Sequence, residues 1–152
     1  MRYRRADVAG GSYFFTVTLL DRQQGLLVEY VNVLREVMRN VKSAHPFHID
    51  ARVILPDHLH ALWTLPAGEC DYPMRWMLIK SGFSRRLPLG GRRTASRRAK
   101  GERGIWQRRY WEHLIRDERD SPAMRITSTT ASVGWGEARP PTCWTRQTTE
   151  AV

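Results

Sequence analysis

The order in which hydrophobic patterns follow one another along the chain is the feature that most limits its fold. Four short segments are rich in β-branched and aromatic residues, as strands are, and two longer segments place apolar residues at helical spacing. The predicted strands are residues 12–20, 47–55, 58–65 and 110–115, and the predicted helices are residues 29–44 and 73–87. The sequence therefore predicts an α+β domain in which strands and helices follow the order βαββαβ.

That order is the split βαβ pattern of ferredoxin-like folds, in which an antiparallel sheet carries its helices on one face. Pro56 and Asp57 separate the second and third predicted strands and favour a tight turn, so these two strands are predicted to form a hairpin. The face opposite the helices stays open for a ligand.

An excess of basic residues indicates a polyanionic partner. The 152 residues include 25 Lys and Arg against 15 Asp and Glu, a formal net charge of +10. This charge favours nucleic acid, and an anionic membrane surface is the weaker interpretation. Residues 85–109 are rich in Arg and Gly and are predicted to form a mobile basic loop, although such a run can also be an ordinary solvated surface. The candidate DNA-binding residues are Arg85, Arg86, Arg92, Arg93, Arg97, Arg98, Lys100, Trp106, Arg108 and Arg109.

Other classes of protein find little support in the sequence. No window approaches the roughly 18 consecutive apolar residues of a membrane span, and the first residues are Arg-rich and then alternating, unlike a secretory signal. Cys70 and Cys143 form neither a metal-binding pattern nor a disulfide framework. We therefore expect a cytoplasmic protein in a reducing compartment.

The third predicted strand carries a His-Leu-His sequence. Residues i and i+2 of a strand point to the same side, so His58 and His60 lie side by side while Leu59 faces the core. Two imidazoles are half of a metal site, and further positions filled by water and phosphate oxygens would suit Mg²⁺ or Mn²⁺. The spacing alone leaves a second interpretation open, since two such histidines are more often surface or hydrogen-bonded residues than ligands.

Four blocks extend this motif along the chain. They read GGSYFFTVTLLDRQ, VILPDHLHALWTLP, MRWMLIKSGFSRRL and GIWQRRYWEHLIRDERD. In this order and spacing, residues 2–120 resemble the REP-associated tyrosine transposases, a branch of the HUH single-strand endonucleases. The resemblance implies one transposase-like domain over residues 1–120, with a ferredoxin-like fold of the HUH-endonuclease type and with His58 and His60 as ligands of Mg²⁺ or Mn²⁺.

The resemblance also implies an activity. The family binds hairpins of repetitive extragenic palindromes and cuts single-stranded DNA beside them. A tyrosine on a helix after the fourth strand attacks a phosphodiester and leaves a 5′-phosphotyrosine and a free 3′-hydroxyl, while the metal polarises the scissile phosphate. The partners expected are single-stranded or hairpin DNA, with no membrane, no small-molecule cofactor, and a monomeric or homodimeric protein.

Residues 121–152 depart from the family. In the family the fourth-strand block leads into a helix resembling DYIHYNPVKHG, whose first Tyr is the nucleophile and whose Asn, four residues later, can complete the metal shell. Here no tyrosine follows Tyr110, and the segment is rich in Thr and Ser and contains Pro140 and Pro141. A shifted codon can be formed from the third base of each codon and the first two bases of the next. Read in this way, the codons available to residues 124–130 permit Ala-Asp-Tyr-Ile-His-Tyr. We therefore hypothesise that the residues after Asp120 are translated out of frame.

Two residues of the fourth block are further candidates. Tyr110 is a candidate substitute nucleophile, although an aromatic residue in a strand usually belongs to the core. Glu112 is a candidate third metal ligand if its side of the strand faces the histidines.

Three functions stay open at this point. One is a metal-dependent DNA strand-transfer enzyme, or a catalytically defective form of it. Another is a non-catalytic basic module that binds hairpin or single-stranded nucleic acid, with Trp106, Tyr110 or Trp111 stacking on bases. The third is a truncated product with little activity, which would expose apolar surface where the last helix should pack.

Overall fold

A single antiparallel sheet organises the chain. The structure is a computed structural model that describes residues 7–88 and 93–116. Its elements are β1 (Ser12–Thr18), α1 (Leu26–Glu29), α2 (Val31–Ala44), β2 (His48–Ile54), β3 (His58–Thr64), α3 (Tyr72–Arg86), α4 (Ala95–Ala99) and β4 (Trp111–Ile115). The strands lie in the order β2-β3-β1-β4 and all neighbours are antiparallel. The predicted α+β, ferredoxin-like fold is confirmed, and β2 and β3 form the predicted hairpin.

Alternation along β1 divides the sheet into two faces. Tyr13, Phe15 and Val17 are fully buried and belong to the same core cluster as the apolar residues of α2 and α3. Phe14 and Thr16 point to the opposite side, because successive residues of a strand alternate. We call this second side the histidine face, since His58 and His60 pair with Thr18 and Thr16 in the ladder between β1 and β3.

The two long helices follow from their sequence patterns. In α2 one stripe of side chains is buried, and it consists of Val31, Leu34, Val37, Met38 and Val41. Helix α3 begins at an Asp71 cap whose carboxylate accepts a hydrogen bond from the backbone N–H of Met74 at 3.0 Å. The helices approach closely at Gly82, where a Cβ would come within 2.9 Å of a methyl carbon of Val37. A glycine is therefore required at this crossing.

A buried arginine fastens the end of α2 to α3. Arg75 is only 1% exposed, and its guanidinium donates to the carbonyls of His45, Pro46 and Asp71 and pairs with Glu69. These partners offset the free-energy cost of burying the charge of Arg75, which would otherwise destabilise the fold.

The structure corrects two details of the predicted elements. The first predicted helix, residues 29–44, begins two residues later as α2, and the short helix α1 precedes it and ends at Glu29. The predicted basic loop contains α4, which begins where the Thr94 hydroxyl accepts a hydrogen bond from the backbone N–H of Arg97 at 3.3 Å. Gly101 and Gly104 then adopt positive φ values of 66° and 72°, which glycine permits without strain.

Several expectations concern residues outside the described ranges. Arg92 and the segment 121–152 are among them, so the proposed domain boundary near residue 120 stays a prediction. Within the described ranges, no helix combines the length and the apolar character needed to cross a membrane.

Candidate metal centre and nucleic-acid surface

Strand β3 places the two histidines of the motif next to each other. His58 and His60 lie on the histidine face, with ring centroids 5.0 Å apart, while Leu59 between them is buried under the helices. The placement predicted from strand alternation is thus what the structure has. Their role as metal ligands stays a prediction.

The His58 ring is oriented by its neighbour in sequence. Its Nδ1 lies 2.7 Å from Oδ1 of Asp57, and Oδ2 of the same carboxylate accepts from Nε of Arg22, also at 2.7 Å. A carboxylate only accepts, so Nδ1 of His58 carries a proton and Nε2 is the ring nitrogen left for a ligand. Burial raises the pKa of Asp57, but the hydrogen bonds from Arg22 and His58 outweigh it, and the net effect is a lowered pKa.

The His60 ring is held by a different partner. Its Nδ1 lies 2.9 Å from the Thr16 hydroxyl on β1, and its ring stacks on Phe14 with centroids 5.4 Å apart. Burial, and then the nearby His58, lower the pKa of His60. A lowered pKa favours the neutral ring, which is the form that binds metals.

The geometry fits a metal site that is half built by this part of the chain. Hydrogen bonds to Nδ1 fix both rings and leave Nε2 of each for a cation, an arrangement typical of metal-binding histidines. The described ranges contain no group of three or more His, Cys, Asp or Glu side chains placed to hold a metal ion. Water, substrate oxygens and residues outside those ranges are the candidates for further ligands.

The prediction that Glu112 is a third ligand is wrong. In the ladder between β1 and β4, Glu112 pairs with Phe15, whose side chain faces the helices. Glu112 therefore lies on the side of the sheet away from His58 and His60, where it is only 6% exposed.

Tyr110 is likewise misplaced for the role of a substitute nucleophile. Its ring packs beside Phe15 and Trp76, with centroids 6.1 and 6.0 Å away, and lies under the ammonium of Lys80. The hydroxyl oxygen is buried. Since this pocket belongs to the helix-covered side, a phosphodiester bound at the histidines does not meet the Tyr110 hydroxyl.

Most of the predicted DNA-binding cations within the described ranges are exposed. These are Arg85, Arg86, Arg93, Arg98, Lys100, Arg108 and Arg109. Two of them also make surface ion pairs, Arg86 with Glu36 at 3.2 Å and Arg108 with Glu102 at 2.9 Å. Such exposed pairs are weak enough to exchange for a phosphate.

Arg97 is a structural residue rather than an exposed cation. Its side chain is only 12% exposed, and Nη1 donates to the Glu102 carboxylate and to the Trp106 carbonyl, each at 3.1 Å. It braces the segment that follows α4, so its predicted role as a phosphate ligand is corrected.

The three aromatic residues predicted as alternatives for base stacking occupy different environments. Trp106 is 5% exposed, its ring packs 5.4 Å from Phe83, and its Nε1 donates to the Lys80 carbonyl at 3.1 Å, so it belongs to the core. Trp111 is 50% exposed and pairs with Thr16, the residue that pairs with His60 on its other side. Trp111 is therefore the one of the three that stands on the histidine face, and the alternation of β4 is the signal that points to it.

Comparison with known proteins decides the family. A scan of family models gives no match. A REP-associated tyrosine transposase of Haemophilus influenzae is 44% identical over 119 residues, which cover 78% of this chain and 68% of that protein. This chain belongs to the REP-associated tyrosine transposase family. The REP-associated tyrosine transposase of Escherichia coli is 42% identical over 118 residues, or 78% of this chain and 64% of its own length.

Solved structures agree with this family membership. The structure of a REP-associated tyrosine transposase bound to a REP hairpin has a TM-score of 0.66 and 39% sequence identity, and the match covers 84% of this chain and 67% of that one. A crystal structure of a Deinococcus radiodurans protein matches with a TM-score of 0.53 and 17% identity over 84% of this chain and 95% of its own, which supports the fold alone. The chain spans about two thirds of the length of the curated REP-associated tyrosine transposases that it matches.

Proposed function

We propose that the protein binds hairpin DNA with single-stranded flanks and that His58 and His60 hold a divalent cation, Mg²⁺ or Mn²⁺, at a phosphodiester beside the hairpin. The observation that carries the proposal is the pair of rings on the histidine face, each fixed through Nδ1 with Nε2 left for a ligand. The net charge of +10 and the REP hairpin bound by the solved relative support DNA as the partner.

Different residues of the chain have different roles in the proposed binding. Exposed cations such as Arg93, Arg98 and Lys100 neutralise phosphates without reading sequence. Trp111 offers a half-exposed ring on which an unpaired base can stack next to the histidines. The divalent cation would polarise a phosphate oxygen. Asp57, Arg22 and Thr16 act indirectly by holding the two imidazoles in place.

Strand transfer would further require a tyrosine nucleophile. A phenol with a pKa near 10 is a poor nucleophile at neutral pH, so it must lie close to a cation that stabilises the phenolate. Tyr110 does not meet this condition because its hydroxyl is buried on the helix side, and no later tyrosine exists in the sequence. We infer that this chain binds DNA but is defective in cleavage, and that an out-of-frame tail after Asp120 is the cause.

A second candidate function is a binding module that acts without metal. It is favoured by the same buried Tyr110 hydroxyl and by the exposed Trp111, which serve binding equally well in the absence of a cation. The two candidates differ in whether the histidines bind a cation.

The test is a double substitution, His58→Ala with His60→Ala. We expect the loss in Mn²⁺ affinity, measured by electron paramagnetic resonance, to exceed the roughly 10- to 100-fold drop typical of changes outside the ligand shell. Affinity for a fluorescent hairpin with single-stranded flanks should stay close to that of the parent chain. His48→Ala is the matched control, since His48 lies on the neighbouring strand with its side chain 70% exposed. Unchanged Mn²⁺ affinity in the double variant would establish the module without metal, and equal loss of both activities would make the histidines structural.

A further inference from the structure

A second basic surface lies at the β2 edge of the sheet, opposite the edge near residues 93–109. Segment 105–107 bonds the end of β1 on the side where β4 pairs, whereas β2 is the opposite edge strand. Between α2 and β2 lies a groove of about 490 Å³. Its lining consists of Arg35, Met38, Arg39, Lys42, Ile49 and Arg52. None of these residues is acidic and four of the six are cationic, so the lining favours an anionic ligand.

The cations of this groove lie close enough together to repel one another. Helical spacing places Arg39 and Lys42 next to each other on one flank of α2, where like charges destabilise a helix. Arg52 adds a further positive charge from β2. Burial, and then the charges of Arg35 and Arg39, lower the pKa of Arg52. A bound anion would relieve this repulsion.

The acidic residues next to the groove in sequence are engaged elsewhere. Glu36 pairs with Arg86 of α3 at 3.2 Å. The Asp50 carboxylate accepts from the Thr64 hydroxyl at 2.8 Å and from Nδ1 of His48 at 3.0 Å. These contacts direct both carboxylates away from the residues that line the groove.

The groove lies on the helix side of the sheet, around the edge strand β2 from the histidines, because Arg52 pairs with Ala61, which belongs to the core beneath the helices. In the ladder between β2 and β3, Val53 pairs with His60, and Arg52 is the adjacent residue on β2. Neighbouring strands lie about 4.8 Å apart. A nucleic-acid strand with one phosphate at His60 would therefore reach the groove by passing around the single edge strand β2 to the helix side of the sheet.

We propose that the groove between α2 and β2 binds the phosphate backbone of the single-stranded DNA that flanks the hairpin, beyond the phosphodiester at His58 and His60. The inference rests on the proposed function. A polyanion fits better than a lone phosphate because the cations are spread along both a helix and a strand rather than converging on one point. The histidines would then lie between two basic surfaces, with the groove on the β2 edge and residues 93–109 on the β4 side.

The experiment compares two probes of a REP-type DNA hairpin, one with single-stranded dT flanks and one without. The variant is Arg39→Gln with Lys42→Gln and Arg52→Gln, and Arg39→Lys with Arg52→Lys is the matched control that keeps the charge. Affinities are measured by fluorescence anisotropy over a range of salt concentrations, and circular dichroism confirms that each variant folds. For the flanked probe we expect the slope of log K against log salt to fall by about 2 units, since each single-strand phosphate contact contributes about 0.7.

The outcomes separate this inference from the proposed function. The inference holds if the slope falls for the flanked probe only and the lysine control keeps the slope of the parent chain. An unchanged slope for both probes, or an equal fall for both, would overturn the assignment of the groove to the flank. Neither result would contradict hairpin binding by the parent chain. Failure of the parent chain to bind either probe would overturn the proposed function and this inference with it.

Discussion

At the scale of single residues, the two histidines of one motif are held by chemically different partners. His58 is fixed by the Asp57 carboxylate, which is itself fixed by Arg22, whereas His60 is fixed by the Thr16 hydroxyl. A carboxylate forces the proton onto Nδ1, but a hydroxyl can either donate or accept. Asp57 therefore determines the tautomer of its histidine more strictly than Thr16 does.

This difference predicts the effect of Asp57→Asn. An asparagine keeps the size of the side chain but loses the charge that holds Nδ1–H of His58, so Mn²⁺ affinity should fall about 10- to 100-fold. Mn²⁺ titration followed by electron paramagnetic resonance measures the change, and hairpin affinity should be nearly unaffected. Asp50→Asn is the matched control, because Asp50 bonds His48 and Thr64 away from His58. Wild-type Mn²⁺ affinity in Asp57→Asn would show that the carboxylate does not orient a ligand.

At the scale of structural elements, the segment after α4 is held by contacts between distant parts of the chain. Glu102 pairs with Arg97 and Arg108, and the Lys80 ammonium donates to the Gln107 carbonyl at 2.6 Å. The backbone of Trp106 forms a bridge with Leu19 at the end of β1. Sequence composition indicated a mobile loop, because Arg and Gly are common in loops, but these contacts are not visible in composition.

Two tryptophans of this region give opposite predictions for the same substitution. Trp106→Ala should lower the free energy of unfolding by about 3–5 kcal/mol, because it empties a buried site beside Phe83. Trp111→Ala should leave stability nearly unchanged, since half of that ring is exposed, and should weaken binding of the flanked hairpin by about 1–3 kcal/mol, the contribution of stacking on one base. Urea unfolding and fluorescence anisotropy measure the two effects. A Trp111→Ala variant with wild-type affinity would exclude this ring from the DNA interface.

The same elements show how far sequence reasoning reaches. Alternation and helical spacing predicted the four strands and both long helices, and placed His58 and His60 on one side, because these are local regularities of the backbone. Alternation could not say on which side Glu112 lies, since that depends on its pairing with Phe15, a residue nearly a hundred positions earlier. Pairing register is a property of the assembled sheet, so only the structure could show that Glu112 lies on the side away from the histidines.

At the scale of the whole molecule, the order β2-β3-β1-β4 determines how the proposed site is shared along the chain. The histidines lie on the inner strand β3, Trp111 lies on the edge strand β4, and Thr16 on β1 pairs with a residue on each side. A bound strand can thus contact residues that are far apart in sequence. The resemblance implies a nucleophile that follows β4 in sequence, so a change of reading frame after Asp120 would remove it while leaving these surfaces intact.

That separation predicts the result of restoring the frame. A chain whose residues after Asp120 are replaced by those of the shifted frame should form a covalent adduct with the 5′ end of a cleaved, flanked hairpin in the presence of Mn²⁺, because it regains a tyrosine after β4. Denaturing gel electrophoresis with labelled DNA detects the adduct. Phenylalanine in place of the restored tyrosine, and His58→Ala in the restored chain, should each abolish it, while the parent chain should bind the hairpin without forming it. A gene with no DYIH-like string in either alternative frame, or an adduct formed by the parent chain, would contradict the frameshift hypothesis.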